Sequence, residues 1–237
     1  MRAITTVGFD ADDTLWQNEA FFRLTQARFV DLLADYVEAE HLQARLLAAE
    51  RRNLGHYGFG IKGFVLSMIE TAIEVTQGRV AAPVIAEIMA AGRDMLAHPI
   101  ELLPHAREAV IAASEDHQVL LITKGDLLDQ ERKLAQSGLG DLFHGVEIVS
   151  DKTADTYTKI FMRHGGRSDK ALMVGNSLKS DVLPVIEAGG HGVHIPHEVT
   201  WELEHADAPE GHPRFHSLRD LSGLSGLLAA LHSGTTP

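Results

Sequence analysis

The sequence predicts an α/β fold: a doubly wound parallel sheet interrupted, after its first strand, by an all-helical subdomain. Three observations carry this. Residues 4–9 are a short apolar, β-branched run that ends in acids, the pattern of a buried strand with a chemically active tip. Residues from about 17 to 98 show helical patterning alone. From Pro104 onward strand and helix patterns alternate, and strands separated by helices imply a parallel sheet. The expected division is 1–16 with 99–237 as the core and 17–98 as the inserted helical cap.

The insertion opens with helix formers from Glu19 to about Asn53, with Phe22, Phe29, Val30, Leu33 and Val37 at helical intervals and no proline. One long helix or two abutting ones are expected. The run Gly55 to Gly63 holds four glycines, at 55, 58, 60 and 63, and is read as a loop that cannot sustain a helix. Helical patterns return over 64–76 and 82–97. Pro99 and Pro104 bracket the re-entry, and Pro104 opens a helix through roughly Ser114. Then follow a strand at 118–123, a helix over 126–136 stopped by Gly138, and a strand at 145–149. A helix over 153–164 ends at Gly165-Gly166, a strand occupies 171–174, a helix runs to Ala188 before Gly189-Gly190, and a strand occupies 192–195. The tail 233–237 is expected to fray.

The 237 residues suffice for one large core with an inserted subdomain, and 45% hydrophobic with 23% charged residues is ordinary globular composition. A formal charge of -12 disfavours nucleic acid and anionic membrane surfaces as partners. It also repels phosphate at long range, so a phosphate site here needs a metal ion and placed cations. The absence of cysteine excludes a thiolate metal site and a cysteine nucleophile. No stretch reads as a signal peptide or reaches the ~18 apolar residues of a membrane span, so a soluble, cytoplasmic protein, monomer or homodimer, is expected.

Asp10-Ala11-Asp12-Asp13-Thr14 follows the first strand directly. Open α/β sheets bind ligands at the carboxyl ends of their strands, and carboxylates two residues apart leave an extended chain on one side. One can attack phosphorus while the other supplies a proton to the leaving oxygen. Further polar residues stand at later strand ends: Thr123, then Ser150-Asp151-Lys152, then Gly175-Asn176-Ser177 through Asp181.

Taken in order, these residues resemble the haloacid dehalogenase-like superfamily of hydrolases, whose members carry DxDxT, a Thr or Ser, a Lys and a terminal acidic motif. The resemblance spans nearly the whole chain and implies a Rossmann-like core and a mobile helical cap that excludes water and selects substrate. It implies Asp10 as nucleophile and Asp12 as general acid, then base. Thr123 would hold a phosphoryl oxygen and Lys152 would offset charge on Asp10. Asp10, Asp12, Asn176 and Asp181 would form the metal end of the site, and Mg²⁺ suits an all-oxygen set. The reaction implied is hydrolysis of a small phosphomonoester through an aspartyl-phosphate.

Two departures stand out. Asn176 occupies a position where the family usually has an acid, which lowers the site's charge by one and its expected metal affinity. Asp13 stands where glycine is common and is read as a solvated or second-shell acid. Specificity is placed in the glycine-rich loop, with His56, Tyr57 and Lys62 directed at the leaving group, and Lys124 is read as a site-rim or surface charge. Gly58, Gly60 and Gly63 spell G-x-G-x-x-G but follow a helix, so no dinucleotide site is expected. Lys159 falls within a helix and yields to Lys152. His191, His194 and His197 would scatter over both faces of a strand, and Trp201, Glu202 and Glu204 form a polar loop with no assigned role. A haloacid dehalogenase, a phosphomutase and a binding protein on a disabled scaffold are the competing readings.

Overall fold

A computed structural model describes residues 4–199 and 201–234. The chain divides into two compact units, one of residues 1–17, 100–124 and 130–237 and the other of 18–99 and 125–129.

Among the described residues of the first unit, six parallel strands form one sheet: β1 (Thr6–Phe9), β2 (Gln118–Lys124), β3 (Gly145–Val149), β4 (Ala171–Gly175), β5 (His191–His194) and β6 (Phe215–Ser217), in the order β3-β2-β1-β4-β5-β6. Phe9 pairs with Leu121 on one side and Val174 on the other. The chain builds β1, β2 and β3 in one direction and then crosses to β4 on the far side of β1. That reversal is a topological switch point, where a crevice opens beyond the carboxyl ends of β1 and β4.

Helices occupy both faces because the strands alternate apolar residues to each. On one face Phe9, Val119, Leu121, Leu172 and Val174 pack with Val110 of α5 (Ala106–Ser114) and Leu224 and Leu228 of α9 (Leu224–Ser233). On the other, Leu120, Ile122 and Met173 pack with Tyr157 and Phe161 of α7 (Ala154–Arg163) and Val185 of α8 (Leu183–Glu187). Gly8 lies on this second face, where a Cβ would stand 2.9 Å from Met173 Sδ. The helix α6 (Leu127–Ser137) connects β2 to β3.

The second unit is helical, as expected: α1 (Glu19–Leu32), α2 (Ala39–Tyr57), α3 (Ile61–Val75) and α4 (Ala82–Ala97). Phe29, Leu33, Leu42, Leu46, Phe64, Met68 and Ile88 form its core. The glycine-rich loop is shorter than the sequence suggests. Gly55 lies inside α2 and Gly63 inside α3, and only Gly58 and Gly60, with φ of 71° and 110°, need the left-handed region. A helical glycine costs about 1 kcal/mol, but at Gly63 a Cβ would approach Gly58 O to 2.9 Å, so close packing outweighs propensity.

Other differences are local. Of the two readings of the first helical pattern the two-helix one holds, with the break between Leu32 and Ala39. The helix expected up to Ala188 begins as a π turn, Leu178–Val182, before α8; such turns are rare and concentrate at functional sites. Residues beyond 195, given no strand or helix by the periodicity argument, supply β6 and α9. Ser233 ends α9 instead of fraying, and positions 235–237 of the expected frayed tail lie outside the described residues. No helix of the described residues is long and apolar enough to cross a membrane.

Candidate active site

Asp10 is the first residue past β1, and its N–H donates to Val174 O (2.9 Å), so the sheet ladder itself fixes its position. Its carboxylate is buried and its two oxygens face different partners. Oδ1 accepts from Lys152 Nζ at 2.5 Å, and Oδ2 accepts from Thr14 Oγ1 at 3.1 Å. Lys152, also buried, donates to Asp181 Oδ1 as well (2.7 Å), while the Ser177 N–H donates to Asp181 Oδ2 (3.0 Å). One ammonium thus serves two buried carboxylates. Burial pushes the Asp10 carboxyl up to about 7 against the pull of Lys152, with the Asp181 charge adding to the rise.

Residues 11–16 form a tight turn. Leu15 and Thr14 donate their N–H groups to Ala11 O, and the Asp13 N–H donates to Trp16 O (2.7 Å). Asp13 takes φ 61°, the left-handed region that favours glycine, which explains why glycine suits this position. Asp13 is buried, 3.7 Å from His197 Nε2, so of the two expected readings, solvated or second-shell acid, the solvated one does not hold.

Asp12 meets a different set of partners. Its carboxylate accepts from Trp16 Nε1 (2.7 Å), Lys133 Nζ (2.9 and 3.1 Å) and Gln130 Nε2 (3.0 Å). With both oxygens so engaged, the side chain is not presented to a metal. The main-chain oxygen of Asp12 is. One terminal atom of the Asn176 amide lies 3.3 Å from each of Asp10 Oδ2, Asp12 O and Thr14 Oγ1. With its nitrogen there, the amide donates to these oxygens; with its oxygen there, Asn176, Asp10 and the Asp12 carbonyl make the all-oxygen set that a hard cation takes. These residues fit Mg²⁺. Asp181, expected among the ligands, has both oxygens engaged by Lys152 and Ser177. Among the described residues no group of three or more His, Asp or Glu side chains could hold a metal.

The sequence matches the family of haloacid dehalogenase-like hydrolases over residues 4–189. The chain belongs to that family. A haloacid dehalogenase-like family hydrolase of Xanthomonas campestris is 43% identical with a TM-score of 0.89, over 98% of this chain and 94% of that one. The HAD-hydrolase YfnB of Bacillus subtilis, bound to magnesium, shares 16% identity with a TM-score of 0.67, over 96% and 99%. The L-2-haloacid dehalogenase of Xanthobacter autotrophicus, with chloropropionic acid covalently bound, shares 16% with a TM-score of 0.62, over 95% and 98%. At that identity the last two show the fold alone. No curated protein matches the sequence.

In this family hydrolase Thr123, at the end of β2, is buried, and its Oγ1 accepts from Gln130 Nε2 (2.8 Å). Lys124 is not a surface charge. Its ammonium donates to Ser180 Oγ (2.7 Å) and Glu204 Oε1 (2.6 Å). Glu204 Oε2 in turn accepts from Ser177 Oγ (2.6 Å) and Ser180 Oγ (2.5 Å). Burial alone would raise the Glu204 carboxyl, but Lys124 and these hydrogen bonds hold it below its ordinary value. Periodicity offered no signal for Glu204, which sits on a short helical turn (Glu202–Glu204) in the connection from β5 to β6. Lys133 and Gln130 were likewise missed.

The remaining candidates have other partners. Lys159 is exposed and pairs with Asp155. His191 stacks on His216 of β6, 3.0 Å between ring nitrogens, while His194 Nε2–H donates to Asn176 O (3.1 Å) and so supports the chain at the site. Tyr57 and Lys62 belong to the second unit. There Tyr57 OH donates to Glu70 Oε1 (3.5 Å) and Lys62 Nζ to Asp126 Oδ1 (2.9 Å), and His56 lies in the last turn of α2.

Proposed function

We propose that this hydrolase is a Mg²⁺-dependent phosphatase that cleaves a small-molecule phosphomonoester through an aspartyl-phosphate on Asp10. The observation that carries the reading is the division of labour on Asp10: one oxygen on the Lys152 ammonium, the other in the oxygen cluster with Asn176 and the Asp12 carbonyl. Phosphoryl transfer needs positioning and charge neutralisation above all, and this arrangement supplies both around one carboxylate.

In the first step an Asp10 oxygen bonds to phosphorus as the bond from phosphorus to the leaving oxygen breaks, and Asp12 gives that oxygen a proton. In the second, water attacks the phosphorus, Asp12 takes its proton, and the bond to Asp10 breaks to release phosphate. Thr123 orients a phosphoryl oxygen, and Lys152 keeps the attacking carboxylate and the transferring group from repelling each other. Mg²⁺, held by Asp10, Asn176 and the Asp12 carbonyl, would neutralise charge on the phosphoryl oxygens.

Asn176 favours one second reading, a 2-haloacid dehalogenase, because that chemistry has less need of a strongly charged metal site. Asp12 with its elaborate hydrogen bonding speaks against it, since an ester-forming attack on a haloacid has no leaving oxygen to protonate. The test is phosphate release from a panel of phosphomonoesters with Mg²⁺ or EDTA, beside halide release from 2-haloacids, for the native protein and Asp10→Asn. Metal-dependent phosphate release lost in the variant supports the phosphatase, and halide release without phosphate release refutes it.

A further inference from the structure

We propose that Lys133 and Gln130 are positioning residues for Asp12, holding its carboxyl in the one orientation from which it serves the leaving oxygen and tying it to Thr123. The inference rests on the phosphatase reading above.

Both residues lie on α6 three positions apart, hence on one face of the helix, and both are buried, with 3% of Gln130 and 6% of Lys133 exposed. A carboxylate offers about four acceptor positions, and three donor groups meet those of Asp12. Trp16 Nε1 and Lys133 Nζ share Oδ1, and Gln130 Nε2 and Lys133 Nζ share Oδ2. Trp16 and Gln130 fix the two ends of the carboxyl while Lys133 spans both oxygens, so rotation about the last side-chain bond breaks contacts on every side. Gln130 Nε2 also reaches Thr123 Oγ1 (2.8 Å) and Lys124 O (2.6 Å). The proton-handling and phosphoryl-binding groups therefore share one amide.

Stability does not account for this choice. Gln130 Oε1 is buried without a hydrogen-bond partner among the described residues, which destabilises the fold. Burying an ammonium and a carboxylate together is often no better than apolar packing of the same volume. Fixed geometry at a reacting group, by contrast, is worth a large part of a barrier.

The test compares two esters with Mg²⁺ on the full chain. p-Nitrophenyl phosphate expels a stable phenolate that needs no proton, whereas glycerol 2-phosphate expels an alkoxide that does. In Lys133→Met, kcat/KM for glycerol 2-phosphate should fall about 10²-fold or more, and for p-nitrophenyl phosphate less than about tenfold. Lys133→Arg, whose planar fork also spans two carboxylate oxygens, should recover most of the loss. Gln130→Leu should give the same leaving-group split and stands in if Lys133→Met does not fold. Equal losses on both esters, or none, overturn the positioning role. Native protein that releases phosphate from neither ester overturns the phosphatase reading and this inference with it, a result distinct from equal losses in the variants.

Discussion

Lys152 Nζ lies 2.5 Å from Asp10 Oδ1 across 142 residues of sequence, and it shares its charge with Asp181 at 2.7 Å. Two buried carboxylates on one ammonium leave excess negative charge, an arrangement that suits a nucleophile awaiting a cation more than it suits a stable core. Asp10→Asn keeps the Lys152–Asp181 pair and removes the like charge. Turnover should fall about 10³-fold or more, while the melting temperature at neutral pH stays equal or rises. Phosphate release and thermal unfolding check both halves, and a melting point several degrees lower would refute the charge argument.

Glu204 gives a pH dependence whose sign follows from linkage. Its folded-state value lies below the ordinary 4.5, held there by Lys124, Ser177 and Ser180 against burial. The stabilisation is therefore fully present above 4.5 and is lost as pH falls through the folded value. Glu204→Gln should cost about 1–3 kcal/mol at neutral pH and should flatten the fall of melting temperature on acidification below 4.5. Parallel melting curves against pH for the two proteins would remove Glu204 from this role.

Asn176→Asp adds a carboxylate to the oxygen cluster without changing its size. With EDTA the variant should melt lower, because an amide that can donate to Asp10 Oδ2 becomes a like charge. With Mg²⁺ it should gain, and the Mg²⁺ concentration at half of the melting shift should drop about tenfold or more. A magnesium titration followed by thermal unfolding measures both without any substrate.

Gly175 sits where a Cβ would overlap the Asp181 carboxylate. Gly175→Ala should displace Asp181 from Lys152, lowering stability by about 1–3 kcal/mol and reducing turnover. Unfolding by urea and phosphate release report the two effects, and an alanine variant matching the native protein in both would show that the strand end can give way.

The sheet and the residues at its carboxyl edge were legible because each rests on a local signal. Apolar runs of four to seven residues end in Asp10, Thr123 and Asn176, and Gly138, Gly165 and Gly189 stop the helices between them. Distant packing decides the rest. Gly55 and Gly63 look like helix breakers, yet the approach of Gly58 O to Gly63 admits a glycine inside α3. The π turn at Leu178–Val182 and the three-residue β6 carry no period long enough to recognise.

The sequence by itself determined the fold class, the family, and the order Asp10, Thr123, Lys152, Asn176, Asp181, since a parallel sheet brings all its carboxyl strand ends to one edge whatever the loops do. Only the tertiary structure decided which charges meet there. Glu131, Arg132 and Lys133 are indistinguishable in a charged helix, and the rotation of α6 against the sheet turns Lys133 and Gln130 onto Asp12. Glu204 joins Lys124 across 80 residues because the connection from β5 folds back over the π turn. Such pairings depend on where rigid elements come to rest, and spacing along a chain holds no record of that.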